Sequence, residues 1–581
     1  MPIAPGRGIL AALVLAAPLL AQTVPVKEHT LSNGMRLLLV ERHDEPTVAA
    51  GWVARVGSAN EAVGATGMAH FFEHMMFKGT NTIGTKDPKR DAELNALQDK
   101  VQAGIREEIT LLRERQRRGE ILDIQDPKAR SERHQQLLKD FDALVKEQRA
   151  IIVKDEMDLI YKQAGATGLN ANTSNDRTFY HLTVPSNKLE LWAWMESDRL
   201  KNAVFREFYS ERDVILEERR QRVDATPTGK IMEAFFAMTW EAHPYRWPVV
   251  GWPSDISQVN REVADRFFAT YYAPNNITAV LVGDIRAEEA IPMMERYFGR
   301  IPRNTRGVPE VITTDPAQVA QQRMDAEAET TPMVFASYKG VPSVHQDAAA
   351  LDILGSVLNG QSGRLNKELV LKQKAAAGAQ AFNRTQKYAG AFFVIGVPTP
   401  ERKLEEVEPM LYAEVEKIQK DGITDQELQK VKNQGLADAY RRLESNGGLV
   451  AQLAEAEGAG SYKDFLIEPE TLQKVTKEDV QRVAKKYLTP ENRSVLSIRR
   501  KQAPAGPAGP EDPELAKLPE ALRGNAKMAL AQFEKETDVA KLKEGLAQME
   551  AQADKLPPQV KPLVEFLMQK LRTRIQKLEA K

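Results

Sequence analysis

The run His70-Phe71-Phe72-Glu73-His74 packs two imidazoles and a carboxylate into one short stretch of chain. On a helix, His70 and His74 stand one turn apart on the same face with Glu73 beside them, so both imidazoles can reach one metal ion. Neutral imidazole suits Zn²⁺. In hydrolytic sites zinc takes three protein ligands and keeps a fourth position for water, whose pKa falls to about 7. Glu73 is then the base that takes the water's proton. The order His-x-x-Glu-His inverts the His-Glu-x-x-His zinc motif, and either order can put the same groups around a metal. With 8 His in 581 residues, chance is a poor explanation of such a run.

The elements that must position these groups can be read around them. Alternation in Met35–Val40 and in Val48–Val56 predicts strands leading into the His70 helix. Further strands are expected near Asn172–Val184 and Ile277–Val282, with helices over Leu189–Leu200 and Val263–Tyr272 between them. Strands and helices in this non-alternating order predict an α+β fold, a mainly antiparallel sheet backed by helices. From about residue 310 to 500 the pattern looks like a degenerate second copy. Met333–Gly340 and Ala391–Val397 are strand-like, Asp347–Leu358 is helical, and no second zinc motif occurs, so His345 is taken as structural.

The neighbouring residues carry a resemblance. Gly67-Met68-Ala69 precede the motif and Met75-Met76-Phe77-Lys78-Gly79-Thr80 follow it. Gly57-Ser58-Ala59-Asn60-Glu61 lies upstream. Downstream come Asn170 to Tyr180, Glu211 to Glu218, His243-Pro244-Tyr245, Tyr272-Ala273-Pro274-Asn275-Asn276 and Gly283-Asp284. Over roughly residues 27 to 500 the chain resembles the pitrilysin-like M16 metallopeptidases (inverzincins), the family of insulin-degrading enzyme and the mitochondrial processing peptidase.

The resemblance implies more than the motif does. Glu218 would be the third ligand of one Zn²⁺ per chain, and Glu211, nearly two turns earlier on the same side of a helix, its supporting carboxylate. Glu217, Arg219 and Arg220 are expected on a solvated face. Asn170 and Ala171 match a pair that lines an exposed sheet edge, where an extended peptide can bind through main-chain hydrogen bonds. That mode suits peptides and unfolded polypeptides. One departure stands out. Active members carry an Arg and a Tyr seven residues apart in the second domain to hold the substrate carbonyl, but the matching positions here are Val370 and Ala377, which donate nothing. The resemblance then implies a zinc endopeptidase acting as the zinc-bearing subunit of an M16B-type heterodimer, whose partner brings the Arg/Tyr pair, or a homodimer. The alternative is a non-catalytic M16-like interaction or assembly subunit.

The stretch from His74 to Glu218 is far longer than the family pattern needs, which places an insertion at about 86–160. Leu94, Leu97, Val101, Ile105, Ile109 and Leu112 form a helical stripe, and Leu137, Leu138, Phe141, Leu144 and Val145 form a second after breaks at Gly119 and Asp126-Pro127. A helical hairpin is expected, with His134 on its surface. The expected division is a signal peptide at 1–21, a zinc-bearing domain at 22–305 that includes the insertion, and a second, inactive domain at 306–500. A Pro/Gly/Ala linker at 501–513 and a helical C-terminal extension at 514–581 complete it.

Arg7, the apolar run Ile9–Leu20 and Ala21 have the outline of a secretory leader, which predicts a periplasmic or secreted bacterial protein. No other segment is long and apolar enough to span a bilayer. The absence of Cys excludes disulfides and lipid attachment to cysteine. A net charge of −1 and a pI near 6.8, with bases and acids interleaved, argue against nucleic acid as a partner.

Overall fold

The computed structural model describes residues 24–501, then 514–519, scattered positions between 522 and 538, 539–553 and 560–579. The leader expected at 1–21 and, apart from Lys501, the linker expected at 501–513 lie outside the described residues. Two units form, Met1–Arg500 and Lys501–Lys581.

The first unit contains two sheets. Strands β1 (Lys27–Thr30), β2 (Arg36–Glu41), β3 (Thr47–Ala54), β4 (Thr167–Thr173), β5 (Thr178–Pro185) and β6 (Ile277–Gly283) lie in the order β1-β2-β6-β3-β5-β4. Strands β7 (Gln322–Ala328), β8 (Met333–Gly340), β9 (Ala376–Thr385), β10 (Gly390–Pro398) and β11 (Arg493–Arg500) lie in the order β7-β11-β8-β10-β9. Without β1 the two orders correspond strand for strand. The pairings correspond as well: β2 runs parallel to β6 as β7 does to β11, and the other pairs are antiparallel. The expected α+β architecture of two homologous halves is what the chain adopts. The strand region expected near Asn172–Val184 is a β4–β5 hairpin turned at Ser174–Arg177.

Period-2 alternation splits each strand between two faces. In the first sheet Leu37, Leu39, Ala50, Trp52, Tyr180, Leu182 and Leu281 face a core shared with the helices Leu189–Lys201, Phe208–Arg219, Arg261–Tyr271 and Ala287–Phe298. Leu38, Val40, Ala49, Val53, Val280 and Val282 face the other way and are covered by Leu449, Val450 and Leu453. Those residues belong to helix Asn446–Ala459, which comes from the second half of the sequence. The reverse holds at the second sheet. Phe235 of helix Gly229–Thr239, from the first half, packs on Ala328, Leu496 and Ile498. Each half thus lends a helix to the far face of the other's sheet, which explains why central strands such as β2 and β6 read as unbroken apolar runs.

The helical hairpin expected within 86–160 forms from helices α2 (Pro88–Arg117) and α3 (Glu132–Ile151), with Asp87 capping the first and Ser131 the second. They run antiparallel, with Arg90 bonded to Glu147 near the base and Ser131 to Glu108 farther out. Their seam is polar: the Gln148 amide donates to Asp91 and Asn95 and accepts from Gln98, all buried. His134, expected at the surface, is buried in this seam because its turn of α3 packs inward beside Glu108.

In the second unit, helices Val539–Ala553 and Lys561–Glu579 share apolar contacts through Leu542, Leu571 and Ile575. Among the described residues no helix is long and apolar enough to cross a membrane.

Candidate metal and catalytic site

Helix α1 (Met68–Met75) carries the motif. Its first turn has no side-chain cap of its own. The buried Glu61 carboxylate instead accepts from Gly67 N at 2.7 Å and Ala69 N at 2.8 Å, serving the unpaired amides that begin any helix. Gly67 is left-handed (φ 87°), and a Cβ there would stand 2.6 Å from Val250 O, so no other residue fits this entry to the helix.

His70, His74 and Glu218 each offer a ligand atom, all within 4.8 Å of one another, the one such group of three or more found among the described residues. Glu218 Oε1 is 3.7 Å from His70 Nε2, and Glu218 Oε2 is 3.4 Å from His74 Nε2. Glu211 lies behind: its Oε1 is 2.8 Å from His74 Nδ1, and its Oε2 accepts from Lys78 Nζ at 2.6 Å. With Nδ1–H committed to Glu211, the lone pair of His74 Nε2 is the one presented to the cluster. Glu73 accepts from Thr173 Oγ1 at 2.5 Å, which ties it to strand β4.

Burial drives His70 down to about 3, helped by the charges of His74 and Arg222, so the ring is neutral as a metal ligand must be. Burial also works against the charged form of His74, but the Glu211 bond and the carboxylates of Glu211, Glu218 and Glu73 outweigh it and raise its pKa. Burial raises Glu73 above the ordinary carboxylate range, although the Thr173 hydroxyl opposes the shift. Glu211 goes the other way, its burial outweighed by His74 and Lys78.

Strand β4 is the outermost of its sheet, so one side of it is unpaired. Asn170 and Ala171 sit on it opposite His181 and Tyr180. Between this edge and α1 opens a recess of about 340 Å³, whose walls include Glu73, His74, Phe77, Asn170 and, from the chain leaving the hairpin, Ile152 and Met157. Asp155 (φ 55°) and Glu207 (φ 53°) also line it, two non-glycine residues held left-handed.

The solvated face expected for Glu217, Arg219 and Arg220 holds for two of the three. Glu217 and Arg220 pair with each other in solvent. Arg219 is buried, because Glu233 on the following helix and Gly251 O take up its guanidinium. Val370 packs on the core of the second half, and Ala377 stands exposed on edge strand β9. Sequence reasoning gave no role to Thr173, Lys78, Glu61 or Arg222; of these, Thr173 reaches α1 only through the fold. The Glu211…Glu218 spacing could have flagged Arg222, one turn farther along.

Residues 36–112 match the profile described as Insulinase (Peptidase family M16), and residues 258–434 match the Peptidase M16 inactive domain. Both halves of the chain thus match models of the M16 peptidase family. It is 27% identical over 428 residues to the zinc protease PqqE of Helicobacter pylori, covering 72% of this chain and 80% of that protein. The crystal structure of a protease from Helicobacter pylori superimposes with a TM-score of 0.66 at 23% identity, over 82% of this chain and 99% of that one. The periplasmic protease PqqL of Escherichia coli gives 0.59 at 16% identity, over 83% of this chain and 49% of that one.

Proposed function

We propose that this chain is a zinc-dependent endopeptidase that hydrolyses peptides or unfolded polypeptides. One observation carries the reading: the His70, His74 and Glu218 donors converge within 4.8 Å, with Glu73 beside them and an open sheet edge next to it. Two imidazoles and a carboxylate, with the second nitrogen of His74 already held by Glu211, fit Zn²⁺ well. Bound there, zinc would supply a polarising charge and lower the pKa of water to about 7.

The protein's own groups do the rest. Asn170 and Ala171 on β4 hold an extended peptide by main-chain hydrogen bonds, which is why the substrate must be unfolded there. Glu73, kept basic by burial and oriented by Thr173, takes the proton of the attacking water and returns it to the leaving amine. Glu211 and Lys78 hold His74 in register. Export to a periplasm or beyond, with removal of residues 1–21, belongs to the same reading; PqqL, with the same fold, is a periplasmic protease. Val370 and Ala377 cannot supply the carbonyl clamp, and an M16-like partner subunit bearing an Arg/Tyr pair is the source that the resemblance favours.

The test is cleavage of a quenched peptide library by the zinc-supplemented chain against its Glu73→Gln variant. Cleavage that vanishes in the variant supports the reading. Equal rates in both would sink it.

A further inference from the structure

A clamp for the substrate carbonyl is within reach of this chain alone, on the helix that carries Glu218. Three arginines follow that residue, and the fold sends them in different directions. Arg219 is buried against Glu233, with contacts of 2.6 and 2.7 Å. Arg220 turns back onto Glu217 in solvent, at 2.6 and 2.7 Å. Arg222 reaches back one turn to the cluster's own carboxylate: its Nη1 is 2.5 Å from Glu218 Oε1 while 74% of its side chain stays exposed.

The backbone accounts for the difference. Beyond Arg219 the helix widens into a π-turn over Arg220–Asp224, a distortion found often at functional sites. Arg222 lies one turn beyond Glu218 on the same side. Two of the other nearby cations are engaged elsewhere, while Lys154 lies on the recess wall. Lys78 is held by Glu211 and Glu207, and Arg177 by Asn172 and Glu455. A guanidinium has five N–H donors and keeps its proton in proteins, so Glu218 leaves most of its hydrogen-bonding capacity free.

We propose that Arg222 is the cation with which this chain stabilises the oxyanion of the scissile carbonyl, in place of the Arg/Tyr pair whose positions hold Val370 and Ala377. The inference rests on the peptidase reading and removes the need for a partner at this step. Water oxygen bonds to the carbonyl carbon, its proton passes to Glu73, and the carbonyl π pair moves onto oxygen. There Arg222 donates N–H bonds without losing a proton. When the pair returns, the C–N bond breaks, and Glu73 delivers the proton to the leaving nitrogen.

Arg222→Gln and Arg222→Lys, both at an exposed position, test this in the full-length, zinc-loaded chain. Removing an oxyanion donor typically costs 10²–10³-fold in kcat, and that loss is expected for Arg222→Gln with KM changed only a few-fold. Affinity for a phosphinic peptide, whose tetrahedral anion mimics the oxyanion, should fall in parallel, zinc affinity by chelator competition should hold, and Arg222→Lys should recover part of the loss. A kcat or phosphinic-peptide affinity unmoved in Arg222→Gln overturns the assignment. A fall in zinc affinity that accounts for the lost activity overturns it too, leaving Arg222 as a support for Glu218. So does a wild-type chain that binds the phosphinic peptide but cleaves only with an added partner. Failure of the peptidase reading looks different, since wild type and Glu73→Gln would then behave alike.

Discussion

His74 Nδ1 and Glu211 Oε1 lie 2.8 Å apart, and the second oxygen of Glu211 is held 2.6 Å from Lys78 Nζ. The arrangement fixes which nitrogen of His74 faces His70 and Glu218. Removing such a support typically weakens metal affinity about 10- to 100-fold. Glu211→Gln, which keeps the shape and loses the charge, is therefore expected to weaken zinc binding within that range in chelator competition. An unchanged affinity would mean that Glu211 does not orient the ligand.

Glu73 gives a pH dependence of defined sign. Burial raises its pKa above the ordinary range, and a base must be unprotonated to act. Activity should therefore rise with pH through that raised pKa and be lost as pH falls below it. Thr173 Oγ1 donates to the charged form and holds the pKa down. In Thr173→Val the acid limb of kcat/KM should move to higher pH, with the plateau at high pH less affected. A limb that stays in place or moves to lower pH would exclude Glu73 as the group titrating.

What the sequence makes legible follows from the range of the interactions involved. His70, Glu73 and His74 are readable because a single helical turn brings them together, and the strands beside them because burial on both faces writes unbroken apolar runs. Glu218 and Glu211 needed the family resemblance, since they meet α1 from the far side of the α2–α3 hairpin. Strand β9, with its Ala376-Ala377-Gly378-Ala379 start, has little β-branched or aromatic content and went unread. The surface placement of His134 failed because the hairpin seam is polar. Hydrophobic stripes do not reveal a seam built on Gln148, Asp91 and Asn95.

Arg206 links that hairpin to the site. It is buried, pairs with Asp91 of α2 at 2.6 Å and donates to the carbonyls of Lys78, Thr80 and Ile83 in the turn that follows α1. Breaking one side of a buried ion pair typically costs about 3–5 kcal/mol, because the other charge is stranded. Arg206→Met should lower the urea midpoint accordingly and loosen the turn carrying Lys78, so zinc affinity should fall with it. Loss of stability with undiminished zinc affinity would show that the hairpin base and the site are independent.

The reciprocal helices predict that the two halves unfold as one. Glu457 of helix Asn446–Ala459 is fully buried, and its Oε2 receives Arg36 at 2.6 Å, Arg55 at 2.5 Å and Thr278 at 3.0 Å, all from the first half. Its Oε1 accepts from Tyr462 N at 2.9 Å, so both oxygens have partners and the buried charge is compensated. Glu457→Ala leaves two arginines facing a cavity, and a cost of about 3–5 kcal/mol is expected. Because the helix also covers the far face of the first sheet, the loss should not stay local. Trp52 and Trp192 report on the first half, and far-ultraviolet circular dichroism on the whole. Both signals should shift to lower urea together in Glu457→Ala. Were the halves independent, the tryptophan signal would hold its midpoint while the dichroism became biphasic, and the exchanged helices would be mere neighbours of the sheets they cover.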